Sequence, residues 1–234
     1  PDETDLLRTM YQIAERTGAY VPWLDTMDRV LARVESPVER RGFLHAMGGV
    51  AREQLEDSKR AMDVYGQLIE EHPDDDSALT ALDGLYDDAE LWAERAGIVQ
   101  RRIDLSDDIL LRRNLGESLA SLYRDKLSDL DSACGVYECL CDDDGDWLPG
   151  YHYLESLYRE LERWPSLEQC LQAQLDLCEE DGERLRLEQA LAELYQRELA
   201  KPDEAVVHWR HVLDLEPTHG PAIGALDELL TAAH

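Results

Sequence analysis

Laid over itself with a shift of 72 residues, the chain repeats one skeleton of aromatic and small side chains three times. Tyr20, Trp92 and Trp164 form one such series, and Tyr65, Tyr137 and Trp209 another. Ala61, Ala133 and Ala205, Leu55, Leu127 and Leu199, and Leu82, Leu154 and Leu226 keep the same spacing, with no residue inserted or deleted between copies. A fixed period of this kind specifies an array in which each unit packs on its neighbours. Such arrays build extended surfaces rather than converging pockets. Binding, not catalysis, is therefore the class of activity to expect.

Each period divides into two unequal halves. The motif Leu-x-x-Leu-Tyr recurs as Leu82-Leu85-Tyr86, Leu119-Leu122-Tyr123, Leu154-Leu157-Tyr158 and Leu191-Leu194-Tyr195, with weaker copies at Met47-Val50-Ala51 and Leu226-Leu229-Leu230. Their last residues lie alternately 35 and 37 apart. Leu and Tyr four apart stand one above the other on a helix, so each motif is a buried stripe. A second stripe follows in Ala61-Tyr65-Leu68, Ala133-Tyr137-Leu140 and Ala205-Trp209-Val212. Its small Ala lets two helix axes approach closely, and the aromatic fills the space beyond. No sustained period-two alternation supports a strand.

The punctuation fits helix hairpins. Pro73, Gly145 and Pro217 stand twelve residues after the small Ala of their copies, where a breaker ends one helix and frees the next. Asp74-Asp75-Asp76-Ser77 and Asp107-Asp108 sit where acidic residues complement a helix N-terminus. Pro37, Pro165 and Pro202 belong near helix starts, where a missing N–H costs nothing.

A small Ala, an aromatic four later, an aliphatic three further on and a Pro five beyond resembles the second helix of the tetratricopeptide repeat. The spacing of Pro73 to Leu82 and Tyr86 resembles its first helix, and halves of 35 and 37 approach that family's ~34. The double unit is also similar to the long tetratricopeptide arrays of large bacterial proteins. The chain departs from the pattern in places. The first-helix glycine survives as Gly48, with Asp83, Ala120, Glu155, Ala192 and Asp227 elsewhere, and the halves beginning at Tyr20, Trp92 and Trp164 lack the small Ala in register. The resemblance implies an all-α, right-handed α-solenoid of antiparallel helix pairs over residues 1–234. It would hold about six pairs plus a final helix, with double units at 20–91, 92–163 and 164–234. The aromatic that opens each double unit, Trp164 included, is expected in the core.

With 52 acidic against 23 basic residues, the net charge is −29. That opposes nucleic acid and anionic membrane as partners, since both need Lys and Arg against phosphate. It leaves two readings, a solubility coat on an elongated body or steering of a basic partner. No apolar run reaches the ~20 residues that span a bilayer, so no membrane insertion is expected. The chain starts without Met and in mid-pattern, as a piece of a longer protein would. Five cysteines in a helical chain suit a reducing compartment, which points to the cytoplasm.

No constellation carries chemistry. Asp142-Asp143-Asp144-Gly145-Asp146 fails the calcium-loop pattern, because Trp147 and Tyr153 fall where Gly and an acidic ligand are needed. It reads as a solvated turn. His208 and His211 have a spacing that suits Zn²⁺, but they align with Val64 and Val136, and with Gln67 and Cys139, which favours ordinary helix positions. Cys134, Cys141 and Cys170 align with apolar residues, which makes apolar filling the default, and Cys139 aligns with polar ones. No nucleophile, base and oxyanion set assembles, so no enzyme activity, cofactor or metal is expected.

The resemblance also implies a concave groove lined by first-helix side chains that avoid the Leu/Tyr stripe. These are Asn114, Arg124, His152, Arg159, Arg186 and Arg197, with Arg52 upstream, interleaved with Glu53, Asp88, Asp125, Glu160 and Glu193. They form either a ladder of inter-helix ion pairs or a polar groove that reads an extended peptide or partner helix. The Lys/Asn clamp of chaperone-tail-binding members is not matched. The expectation is a protein-interaction scaffold, one segment of a larger protein, that binds a protein or peptide; the alternative is a peptide-sensing segment that controls a linked effector domain.

Overall fold

The computed structural model describes the backbone of residues 3–232 and the side chains of 9–231. The described residues form thirteen α-helices and no strand. They are α1 (Glu3–Thr17), α2 (Tyr20–Leu31), α3 (Pro37–Glu53), α4 (Ser58–Glu71), α5 (Asp76–Asp88) and α6 (Trp92–Leu105). Next come α7 (Ile109–Leu122), extended by a π-helical turn over Tyr123–Leu127, and α8 (Leu130–Asp143). The last are α9 (Leu148–Glu160), α10 (Trp164–Leu177), α11 (Asp181–Arg197), α12 (Pro202–Leu215) and α13 (Gly220–Ala232). Two compact units result, one from Pro1 to Leu115 and one from Gly116 to His234. In the first, α2 to α6 pack each on the next; in the second, α8 to α13 do so. Helices joined by such short links run antiparallel. The fold is that of stacked helix hairpins.

The boundaries themselves keep the period. Helices α4, α8 and α12 begin at 58, 130 and 202, and α5, α9 and α13 at 76, 148 and 220. Every positive-φ residue described falls into one of two series, Gly18, Glu90 and Glu162 or Glu56, Ser128 and Ala200. After α5, the Glu90 N–H reaches the Asp87 carbonyl and the Leu91 N–H the Tyr86 carbonyl; Glu162 and Arg163 repeat both bonds after α9. This is the Schellman closure, which needs a left-handed residue after the helix. Glycine takes that conformation without penalty at Gly18, whereas Glu90 and Glu162 hold it against their own sterics.

The two stripes form the cores. Leu82, Leu119, Leu154 and Leu191 are buried, as are Ala61, Ala133 and Ala205 and the aromatics Tyr65, Tyr137 and Trp209. Gly48 shows why the first-helix position must be small: a Cβ there would stand 2.6 Å from the Tyr65 ring. Its counterparts Ala120 and Ala192 are buried too. Cys134, Cys141, Cys170 and Cys178 are buried and Cys139 is exposed, all as free thiols. One expectation fails. Trp164 is only half-buried, like Trp92 and Tyr20, each of which stands at the first position of its helix, at the edge of the packed stripe.

The start of α9 solves a repeat problem in its own way. Asp75 caps α5 by accepting from the Ala78 N–H at 2.9 Å, and His219 Nδ1 accepts from the Ala222 N–H at 3.2 Å on α13. The matching residue on α9 is Trp147, which offers no cap. Its buried indole lies instead over Gly150, where a Cβ would stand 2.4 Å from the ring. Packing has replaced capping at that one helix start.

Candidate functional site

Four polar side chains are buried among the described residues: Asp75, Glu155, Gln174 and Glu188. Three belong to the second unit, and two of those, Glu155 and Gln174, support a cleft there. Glu155 lies on α9 at the position that holds Asp83 on α5. Asp83 accepts from Arg95 at 2.8 Å and from Arg102 at 3.2 Å. In the second unit Gln174 stands where Arg102 would be, and its amide donates to Glu155 at 2.8 Å. The missing cation comes from elsewhere. Arg186 on α11 donates to both Glu155 oxygens, at 2.9 and 3.3 Å, and Arg159 one turn along α9 donates to Oε1. Arg186 also contacts Gln174 and Glu183.

Burial alone would raise the Glu155 pKa, but hydrogen bonds from Arg186, Gln174 and Arg159 prevail and hold it below the ordinary carboxylate value of 4.5. Asp75 behaves alike: burial opposes ionisation, and bonds from the Ala78 N–H, His45 and Arg41 keep its pKa below 3.8. A depressed folded-state pKa contributes stability above the unfolded value, and that stability is lost as pH falls through the folded one. We therefore expect thermal stability to decline below about pH 4.5 as these two sites protonate. The check is a Tm series from pH 7 to 2, in which Asp75→Asn and Glu155→Gln should flatten the acid limb.

Around this anchor runs an open cleft of about 420 Å³, lined by Arg159, Trp164, Arg186, Glu193, Arg197 and Glu198 among others. Three guanidinium groups and two carboxylates line it, with the ionised Glu155 behind two of the arginines, so cations are concentrated there against the −29 of the whole chain. The half-buried Trp164 supplies an aromatic wall. A shallower neighbouring depression adds His152, Ser156 and Glu183 beside Arg159 and Arg186. Arg159, Arg186 and Arg197 keep exposed side chains, although Arg186 is also held by Glu183.

Of the residues predicted to line a groove, the structure brings His152, Arg159, Arg186 and Arg197 together. Arg124 lies on the π-helical turn, exposed and tied to Asp125 at 2.8 Å, beside a separate hollow with Tyr137 and Tyr153. Arg52 at the end of α3 and Asn114 on α7 are exposed and belong to the first unit. Sequence reasoning missed Glu155 and Gln174 as the buried anchor, and Trp164 as a wall. The signal was present. Arg159 and Arg186 stand where the preceding copy has Asp87 and Asn114, so the cleft's cations are departures from the period. No helix of the described residues is long and apolar enough to cross a membrane.

Helix hairpins that repeat in sequence and in boundary define a helical-repeat protein. Residues 151–185, which run from α9 into the start of α11 and include Arg159 and Trp164 of the cleft, match the tetratricopeptide repeat model. No curated protein matches the chain. Solved structures with a likeness include a tetratricopeptide repeat protein from Parabacteroides merdae, at 14% identity and TM-score 0.41, covering 98% of this chain and 85% of that one. YrrB, described as a TPR protein with an unusual peptide-binding site, gives 12% identity and TM-score 0.39, covering 78% and 90%. Naa15/Naa10 bound to HypK-THB gives 15% and 0.45, covering 99% of this chain and 39% of that one. At these scores the likenesses carry no functional inference.

Proposed function

We propose that the protein is a non-catalytic interaction scaffold, built of 72-residue double units, whose second unit docks an acidic or mixed-charge peptide segment in the cleft of Arg159, Arg186 and Arg197. The observation that carries this reading is the buried Glu155. It fixes two guanidinium groups from one side, with Glu183 bracing Arg186 from the other, and both side chains stay partly exposed. Arginines held this way lose little side-chain entropy when they bind a carboxylate, which favours recognition over a free surface pair. Trp164 adds an apolar contact alongside, the combination of aromatic and Arg anchors on which interfaces concentrate their energy.

The experiment is a fluorescence titration of acidic, neutral and basic peptide pools against the wild type and an Arg159→Gln, Arg197→Gln variant, which leaves Arg186 and Gln174 on Glu155. The acidic pool should bind best, weaken as salt rises, and lose at least about tenfold in the variant, a loss equivalent to one good charged contact. Equal binding by wild type and variant would remove the cleft from the account.

A further inference from the structure

The repeat period marks a second place where polar residues have replaced a core. Leu44 on α3 and Gly116 on α7 are buried, and the matching residue on α11 is Glu188, whose side chain is 7% exposed. The buried Val64 and Val136 match His208 on α12, and Gln67 and Cys139 match His211. All three departures meet. His208 Nδ1 lies 2.6 Å from Glu188 Oε2, and His211 Nδ1 lies 3.2 Å from Oε1. One ligand atom from each of the three residues comes within 4.8 Å of the others. The two histidines are therefore not the ordinary helix positions that alignment suggests.

Packing alone does not require this arrangement, since apolar or absent side chains serve in the other copies and a buried carboxylate is costly to desolvate. The geometry does suit a cation. Histidines three apart share one face of α12, and the carboxylate arrives from the neighbouring helix. Tyr195 stacks on the His208 ring with centroids 5.3 Å apart and planes 18° apart, which holds that imidazole in place. His211 is half-exposed, so solvent reaches the fourth side of the cluster.

We propose that Glu188, His208 and His211 bind one divalent ion of the zinc type, with water completing a tetrahedral set. Two imidazoles and one carboxylate are a borderline donor set that prefers such ions to magnesium or calcium. Ligand bonds of about 2.0–2.2 Å need only small side-chain shifts from the present positions. The ion would tie α11 to α12, and α11 carries Arg186, Glu193 and Arg197 of the cleft. Metal occupancy would then stiffen one wall of that cleft, although the ion site stands whether or not the cleft binds peptide.

The test uses the full chain freed of metal by a chelator and titrated with Zn²⁺ by calorimetry, and with Co²⁺ by visible absorption. Wild type should take up one ion with a raised Tm, and its Co²⁺ spectrum should show ligand-field bands without a thiolate charge-transfer band. Glu188→Leu with His208→Val installs the residues of the first copy and should keep the core apolar while abolishing saturable uptake. His211→Gln, at an exposed position, should fold in any case and weaken binding by at least about tenfold. Absence of saturable uptake by the wild type, or equal uptake by wild type and His211→Gln, would overturn the site, and a thiolate band would place the ion on the cysteines instead.

Discussion

Replacing Gly150 by alanine should destabilise the protein, and the same replacement should become harmless once Trp147 is aspartate. In the wild type the new Cβ would stand 2.4 Å from the Trp147 ring and 2.6 Å from Cys141 Sγ. Both neighbours are buried, so neither can swing away, and overpacking of this kind costs about 1–3 kcal/mol. Trp147→Asp alone removes a large buried ring, at about 3–5 kcal/mol, partly offset by a restored N-cap worth about 1 kcal/mol. With the indole gone, the Cys141 thiol can turn into the vacated space, and position 150 then resembles the Ala78 and Ala222 sites, both fully buried. Alanine there should then gain about 0.5–1 kcal/mol over glycine from helix propensity. A double-mutant cycle by urea denaturation reads this change of sign directly. An equal cost of Gly150→Ala in both backgrounds would show that cap and indole are not alternatives.

Leu171→Ala should be the most damaging single truncation on α10. Its side chain is fully buried, and losses of this kind cost about 3–5 kcal/mol. Trp164→Ala, seven residues earlier, should cost clearly less, about 1–2 kcal/mol for a half-buried ring, while it weakens peptide binding in the cleft. The kept aromatic period alone places Trp164 in the core. Equal destabilisation would mean that Trp164 serves the core and not the cleft wall. His208→Ala also moves, from a neutral helix change to one that leaves Glu188 with a single histidine partner.

The helices were legible because packing and period coincide: the residues that repeat are those that the neighbouring helix touches. Leu82, Leu154 and Ala61 could be read as core for that reason, and Pro73 and Pro217 as breaks. The sites were harder, because they are the residues that do not repeat. Arg159 and Arg186 were picked out as groove candidates, yet Glu155, which holds them, looked like a lapsed glycine. Glu188 attracts no notice unless it is set against Leu44 and Gly116, and only then does its pairing with His208 have meaning. Arg52, Asn114 and Arg124 share the helical register of the cleft arginines but lie elsewhere, since register fixes a face and not a neighbour. Trp164 was misjudged because a kept aromatic shows that a position matters to packing and not how deeply it is buried.

The central claim is that 72 residues, not 36, form the unit that this chain repeats. Deleting 92–163 joins Leu91 to Trp164, which stands at the repeat position of Trp92, and so replaces α6 to α9 by nothing while keeping every helix beside its counterpart. A deletion of 36 residues from the same point sets unlike halves against each other. Urea unfolding of both, followed by circular dichroism, separates the cases. The account predicts one steep cooperative transition for the 72-residue deletion and a broad, weakly cooperative one for the shorter. A molten 72-residue deletion beside a sharply folding 36-residue one would contradict it.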